Sequence, residues 1–169
     1  MTFPQLCKNI ITNGCQESIT PLQIALSDQT ALAVFNYNNL IPGGAIHALG
    51  KPIDYKGERF EPVAKQPVLS YRIDDLIKHF QIPVPTHIKI DVDGIEFEVL
   101  RGAEKTLESP KVKSILVEFE EGSKEASAMM DFLAEKGHRF HSKHKYVYGG
   151  ESGPMSKIYN YIFERATDN

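Results

Sequence analysis

The stretch that decides the fold runs from His87 to Glu120 and reads HIKIDVDGIEFEVLRGAEKTLESPKVKSILVEFE. It begins with an apolar strand over His87–Val92 and ends with a second one over Ser114–Phe119. Between the two strands, apolar residues recur at helical spacing: Ile95, Val99, Ala103 and Leu107. This order predicts a βαβ unit whose acidic residues lie at the carboxyl end of the first strand, where open α/β sheets bind ligands.

The helix of this unit has a start signal and a stop signal. Asp93 and Glu96 have the spacing of a capping box, in which Asp93 is the N-cap and Glu96 reaches back to it. Such a box would explain both carboxylates without any catalytic role. Ser109 and Pro110 mark the end of the helix, because a residue before proline is disfavoured in helical geometry.

The rest of the chain predicts one α/β domain over residues 1–169, without a repeat or a linker. Residues 29–72 lack a helical period and predict an insertion with a loop and a hairpin. The expected elements outside the βαβ unit are a helix from Pro4, a strand Ile19–Leu26, hairpin strands Ala31–Tyr37 and Val68–Arg72, helices Asp74–Phe80 and Ser123–Lys136, and strands His138–Ser142 and Asn160–Glu164 joined by the loop Gly149–Pro154.

The composition excludes several classes of protein. A net charge of −3 and a pI near 6.1 give no attraction to nucleic acid or to an anionic membrane. No stretch approaches the ~20 apolar residues of a membrane span, and no signal peptide is visible. Because no secretory signal is visible, we interpret Cys7 and Cys15 as reduced thiols of a cytoplasmic protein, and their spacing fits no common zinc pattern.

Four segments together resemble the FkbM-type methyltransferases: Tyr71–Leu76, Ile88–Gly94 followed by Glu96, Val99–Ala103 and Leu116–Glu118. Asp93 stands where that family more often has Glu. The resemblance implies a Rossmann-like class I methyltransferase sheet with an antiparallel C-terminal hairpin. It also implies S-adenosylmethionine as the cofactor and a hydroxyl on a sugar or secondary metabolite as the acceptor.

The chain departs from the family pattern at its front. The glycine loop that wraps the cofactor and the acid that holds its ribose are both missing before residue 87. The family sheet has the order 3-2-1-4-5-7-6, so loss of strands 1 and 2 would leave His87–Val92 at an edge. Because unpaired edges favour association, we expect a chain that is less stable alone, or that pairs with a second copy or a companion chain completing the sheet.

Several acids of the βαβ unit are candidates for the site, and the resemblance itself assigns a role to the first of them, Asp91. Asp91 is the expected catalytic residue and faces the cofactor's methionine end or the acceptor; the alternative is that it only caps the turn. Glu118 is a second catalytic candidate, since a buried acid is unfavourable unless paired; a structural bond is the alternative. Asp93 is a cofactor candidate and Glu96 a substrate candidate, with the capping box as the alternative for both.

Other candidate site residues lie outside the acidic turn, the name used for residues 91–96. Leu26 and Asp28 follow the third strand of the family and are expected cofactor contacts, unless they form a plain turn. His47 in the insertion is a candidate for the acceptor site, or a simple surface histidine. The acids could hold magnesium, but nothing demands it, and we predict no metal. The basic run of residues 136–145 is interpreted as a solvated edge strand.

Two functions from different classes remain open from the sequence. The first is an S-adenosylmethionine-dependent O-methyltransferase that acts together with the missing front part. The second is a non-catalytic, truncated methyltransferase-like module that binds a ligand or a partner. A dinucleotide or nucleotide-sugar enzyme is poorly supported, because the glycine fingerprint of those folds is not present.

Overall fold

The computed structural model describes residues 2–41, 44–54, 57–145 and 157–166, and these form a mixed α/β structure. The helices are α1 Thr2–Thr12, α2 Ile73–Phe80, α3 Glu96–Gly102, α4 Glu104–Glu108 and α5 Lys124–Glu135. The strands are β1 Ala25–Leu26, β2 Ala31–Tyr37, β3 Ala48–Leu49, β4 Ala64–Tyr71, β5 His87–Ile90, β6 Ser114–Glu120, β7 His138–Lys145 and β8 Ile158–Arg165.

The chain divides into two compact units. Unit 1 comprises Met1–Ala25 and Ala31–Ser70, and unit 2 comprises Leu26–Thr30 and Tyr71–Asn169. The organisation as one domain stays a prediction. The expected loop Gly149–Pro154 lies outside the described residues.

Unit 1 contains the predicted helix and the predicted hairpin. Strands β2 and β4 pair antiparallel from Ala31 opposite Ser70 to Tyr37 opposite Ala64, in a sheet of order β1-β4-β2-β3. The expected strand Ile19–Leu26 was wrong in length, because only its last two residues form β1. Pro21 lies inside that stretch and has no N–H to donate to a neighbouring strand.

Unit 2 contains the predicted βαβ unit. Its sheet has the order β5-β6-β8-β7, with β5 and β6 parallel and the other pairs antiparallel. Strand β5 therefore lies at one edge, and the final hairpin is antiparallel as expected. Its core combines strand and helix residues, with Leu100, Leu107, Ile115 and Leu133 fully buried. Association through the β5 edge stays a prediction.

The predicted single helix over Ile95–Leu107 is divided into α3 and α4. The carboxylate of Asp74 accepts hydrogen bonds from the Lys105 and Thr106 backbone N–H groups at 3.1 and 2.8 Å, so it caps the start of α4. Gly102 ends α3 against the backbone, since a Cβ there would lie 2.0 Å from the Ser27 carbonyl oxygen. Both contacts involve residues distant in sequence, which helical periodicity does not reveal.

The basic run forms the other edge strand, β7, as predicted, but its first residue does not face solvent. His138 is only 1% exposed, and neither of its ring nitrogens has a hydrogen-bond partner among the described residues. Burial, together with the nearby positive charge of Arg165, lowers the pKa of His138 to about 4. The side chain is therefore held as a neutral ring inside unit 2.

We expect His138 to make the protein sensitive to acid. The unfolded chain takes up a proton below about pH 6.5, whereas folded His138 does so only near pH 4, so the free energy of unfolding falls as pH drops through this window. The loss would approach roughly 3 kcal/mol, from about 1.4 kcal/mol per pKa unit. Urea denaturation of the His138→Leu variant between pH 7.5 and 4 should show a shallower decline than wild type.

The matched control for this prediction is His141→Leu, which removes an exposed histidine from the same strand. The His141 ring lies 3.4 Å from Glu164 with a side chain 56% exposed, so its removal should leave most of the acid sensitivity in place. Equal pH dependence of stability in wild type and His138→Leu would contradict the assignment.

Candidate active site

A row of polar side chains crosses the sheet of unit 2 at the carboxyl end of β5. Ile90 pairs with Val117, so the next residue on each strand places Asp91 beside Glu118. Glu118 lies opposite Asn160 on β8. Residues paired across strands share one face of a sheet, so Asp91, Glu118 and Asn160 face the same side.

The row extends to the edge strand β7, where His144 pairs with Asn160. All four members of this polar row, Asp91, Glu118, Asn160 and His144, come from different strands or strand ends. Neighbouring strands lie about 4.8 Å apart. One substrate of the size of a single sugar could therefore contact two or three members of the row at once.

Glu118 is the member of the polar row that most clearly lacks a hydrogen-bond donor among the described residues. Its Oε2 atom is buried and has no hydrogen-bond partner among the described residues. Loss of hydration raises the pKa of Glu118, and the negative charge of Asp91 raises it further. A buried acceptor atom that lacks a protein donor is suited to accept a hydrogen bond from a ligand.

Glu96, on α3, is a second carboxyl with a perturbed pKa, and it is close enough to the polar row to be affected by the charge of Glu118. Burial raises the pKa of Glu96 to about 7, against the opposing effect of backbone N–H groups, and the charges of Asp93 and Glu118 contribute to the rise. Its Oε1 atom accepts a hydrogen bond from the Gly94 N–H at 3.2 Å. A carboxyl with a pKa near 7 can both take and return a proton at neutral pH.

The predicted capping box around Asp93 was wrong. Helix α3 begins at Glu96, and its N-cap is Ile95, whose side chain makes no capping hydrogen bond. The acidic turn continues for longer than expected before the helix starts, because the residues 91–95 are not helical. Glu96 does bind backbone, but at Gly94, so the box no longer explains the position of Asp93.

Asp91 is accessible rather than buried. Its Oδ2 atom lies 2.9 Å from the Lys89 ammonium, and its side chain is 51% exposed. Exposed ion pairs of this kind add little stability and exchange easily with other partners. Asp91 is therefore available to a cation that approaches the end of β5.

The residues expected to contact the cofactor after β1 have partners within unit 2. The Asp28 carboxylate pairs with Arg101 of α3 at 3.0 Å, and its carbonyl accepts from Arg72 at 3.0 Å. Leu26 is partly buried and packs against the core of unit 2. These contacts give both residues a structural role, and their contact with a cofactor stays a prediction.

His47 belongs to unit 1, where it lines a cavity. Its ring makes edge contacts with Phe35 and Tyr37, with centroids 5.7 and 5.2 Å away. The structure therefore places His47 in a ring cluster, and its role in binding the acceptor stays a prediction.

No group of three or more His, Cys, Asp and Glu side chains in residues 2–41, 44–54, 57–145 and 157–166 is placed to hold a metal ion. Within the same ranges, no helix has the length and apolar character needed to cross a membrane.

Comparison with known families gives one match, which covers most of the chain. The model of the methyltransferase FkbM domain matches residues 4–140. The chain belongs to the FkbM methyltransferase family. Comparisons with curated proteins and with solved structures returned no match. The family match includes Asp91, Asp93, Glu96 and Glu118 of the candidate active site.

Two members of the polar row were not found from the sequence. Asn160 and His144 lie beyond the residues matched by the FkbM model, and only strand register brings them next to Glu118. A weak signal was present, because Asn160 is the single amide in the apolar strand Ile158–Phe163. His144 gave no signal beyond its place in the basic run.

Proposed function

We propose that this FkbM-family chain is an S-adenosylmethionine-dependent methyltransferase that methylates a hydroxyl of a sugar or secondary metabolite. One observation carries the proposal: the carboxyl of Glu118, which has a raised pKa, lies beside Asp91 at the carboxyl end of a parallel strand pair, and the charge of Glu118 helps to raise the pKa of Glu96. Raised carboxyl pKa values in such a position are typical of groups that move protons. The strand order β5-β6-β8-β7 supports the proposal, because it is the order left when the first three family strands are set aside.

The residues present fit the charge of the proposed cofactor. S-adenosylmethionine carries a cationic sulfonium, a cationic α-ammonium group and one α-carboxylate, which gives it a net charge of +1. The site offers the exposed carboxylate of Asp91 and the buried Oε2 of Glu118, which has no hydrogen-bond partner in the part of the chain that the structure describes. An ammonium group could replace Lys89 as the partner of Asp91, which keeps the charge of the pair balanced.

The reaction would require little covalent help from the protein. When bound, S-adenosylmethionine supplies a methyl group that is already electrophilic. Glu118 would accept a hydrogen bond from the acceptor hydroxyl and so fix its oxygen in position. Glu96 would then take the hydroxyl proton as the carbon–oxygen bond forms, since its pKa of about 7 matches neutral conditions. Asn160 would donate to a second hydroxyl of the acceptor.

Calorimetric titration with S-adenosylhomocysteine tests the proposal. This product keeps the α-ammonium group, so we expect micromolar binding by wild type and at least tenfold weaker binding by Asp91→Asn, which removes the charge but not the shape. Asp131→Asn, an exposed change on α5, is the control and should bind like wild type. No binding by wild type, either alone or together with a companion chain that supplies the glycine loop, would contradict the proposal and favour the non-catalytic module.

A further inference from the structure

Unit 1 contains a cavity of about 310 Å³ whose eleven lining residues include none of the acids of the candidate active site. Eleven residues line it, contributed by α1, the segment before β1, strands β2 and β4, and the loop that holds His47. Its volume is at the lower end of the range of small-molecule sites, roughly 300–1,000 Å³. A single ring with one or two substituents fits such a space, whereas a peptide segment does not.

The charge of the lining restricts the ligand. None of the eleven described residues that line the cavity is Asp, Glu, Lys or Arg. A charged ligand would lose water on entry and find no opposite charge in return, which is strongly unfavourable. The cavity therefore suits a neutral molecule.

The rings of the lining indicate the shape of that molecule. Phe35, Tyr37 and His47 contact one another edge to face, with centroid distances of 5.1, 5.7 and 5.2 Å. Phe3 of α1 also lines the cavity. Aromatic rings at such distances bind a further ring through the same edge and face contacts, each of which adds about 0.5–1.5 kcal/mol to apolar burial.

The polar groups of the lining indicate a hydroxyl. The Tyr37 hydroxyl donates to Gln66 Oε1 at 2.6 Å, which orients the Gln66 amide. The Asn38 backbone N–H donates to His47 Nδ1 at 3.3 Å, so the proton of the neutral imidazole is on Nε2. Gln23 supplies another amide to the lining. Amides and a phenol can both donate to and accept from one hydroxyl group.

We propose that unit 1 binds a neutral, single-ring aromatic molecule that carries a hydroxyl, in the cavity lined by Phe35, Tyr37, His47 and Gln66. This site does not depend on the methyltransferase assignment, because every residue of its lining belongs to unit 1. The pleat of the hairpin provides a matched pair of test positions. Val68 lines the cavity, whereas Leu69, its neighbour on β4, is 54% exposed and points to the opposite face.

The test is a titration of the isotope-labelled full chain with phenol, followed by amide NMR shifts. We expect saturable shifts in wild type that centre on Phe35, Tyr37 and Val68. Val68→Trp, which fills the cavity, should weaken binding at least tenfold, and Leu69→Trp should bind like wild type. Tyr37→Phe removes the hydroxyl and keeps the ring, so it should weaken phenol binding several-fold even if Val68→Trp does not fold.

Three results would overturn the proposal. One is the absence of saturable shifts in wild type up to ~10 mM phenol, the weak end of fragment affinities. Another is that benzoate binds as tightly as phenol. The cavity would then accept a negatively charged ring, which contradicts the requirement for a neutral ligand. The third is a concentration-dependent dimer in wild type that Val68→Trp abolishes while phenol has no effect, which would assign the cavity to a second copy of the chain.

Discussion

Replacement of Glu96 with Gln is expected to lower the rate of methyl transfer by about 10²- to 10⁴-fold, the usual contribution of a positioned general base. The amide keeps the shape of the side chain but cannot take the proton of the acceptor hydroxyl. Because the pKa of Glu96 is about 7, the wild-type rate should rise as the pH increases from 6 to 8. The measurement is release of S-adenosylhomocysteine with a panel of hydroxyl acceptors.

Stability gives a second measurement on the same variant that needs no acceptor. The folded-state pKa of Glu96 lies above the ordinary value of 4.5. The contribution of protonated Glu96 to the free energy of unfolding is therefore complete below pH 4.5 and is lost as pH rises through about 7. At pH 8, urea denaturation should therefore give Glu96→Gln a free energy of unfolding that is higher than that of wild type by roughly 2–3 kcal/mol. Greater stability combined with lower activity is typical of a residue kept for function.

The matched control for Glu96 is Glu98→Gln, two residues further along α3. The Glu98 carboxylate lies 3.3 Å from Arg101, and its side chain is 38% exposed, so its replacement should change the free energy of unfolding by no more than about 1 kcal/mol and should not alter activity. Equal loss of activity in the two variants would contradict the role of Glu96 as the proton acceptor.

Replacement of Arg165 with Leu is expected to lower the free energy of unfolding by about 3–5 kcal/mol. The guanidinium donates to four backbone carbonyls, those of Leu107, Ser109, Val112 and Lys136, at 2.5, 2.6, 3.2 and 3.0 Å. Three of these acceptors, Leu107, Ser109 and Lys136, lie at helix ends, where carbonyls have no partner within the helix. Leucine would remove a donor from all four, and only the Ser109 carbonyl would keep a backbone donor among the described residues, the Val112 N–H at 3.1 Å.

Urea denaturation at pH 7.5 measures this loss, with Arg139→Leu as the control. Arg139 is an exposed arginine on the neighbouring strand β7, so its removal should change stability by less than about 1 kcal/mol. Arg165→Lys should be intermediate, because one ammonium cannot reach four carbonyls in the planar geometry of a guanidinium. An Arg165→Leu variant as stable as Arg139→Leu would show that water replaces the lost donor.

Much of the candidate active site was predictable because it depends on local order. Apolar residues over His87–Val92 and Ser114–Phe119 indicate two buried strands, and Asp91 follows the apolar core of the first. Parallel strands joined by a helix bring their carboxyl ends to one side of a sheet, so Asp91 and Glu118 had to be close. The FkbM match over residues 4–140 includes both positions.

The parts that were missed depend on contacts between distant residues. The division of the α3–α4 helix is fixed by Asp74, and the position of Asn160 beside Glu118 is fixed by the register of β6 and β8. The burial of His138 depends on what packs over the start of β7. Sequence periodicity reports which face of an element is apolar, but it does not report which element covers that face.

The sequence by itself determined the βαβ unit, the antiparallel hairpins and membership of the FkbM family, because apolar periodicity and motif spacing are properties of neighbouring residues. Only the tertiary structure decided which carboxyls have raised pKa values and which polar residues join them. Loss of hydration at Glu96 and Glu118 is set by every element packed around them, and that arrangement exists only once the chain has folded.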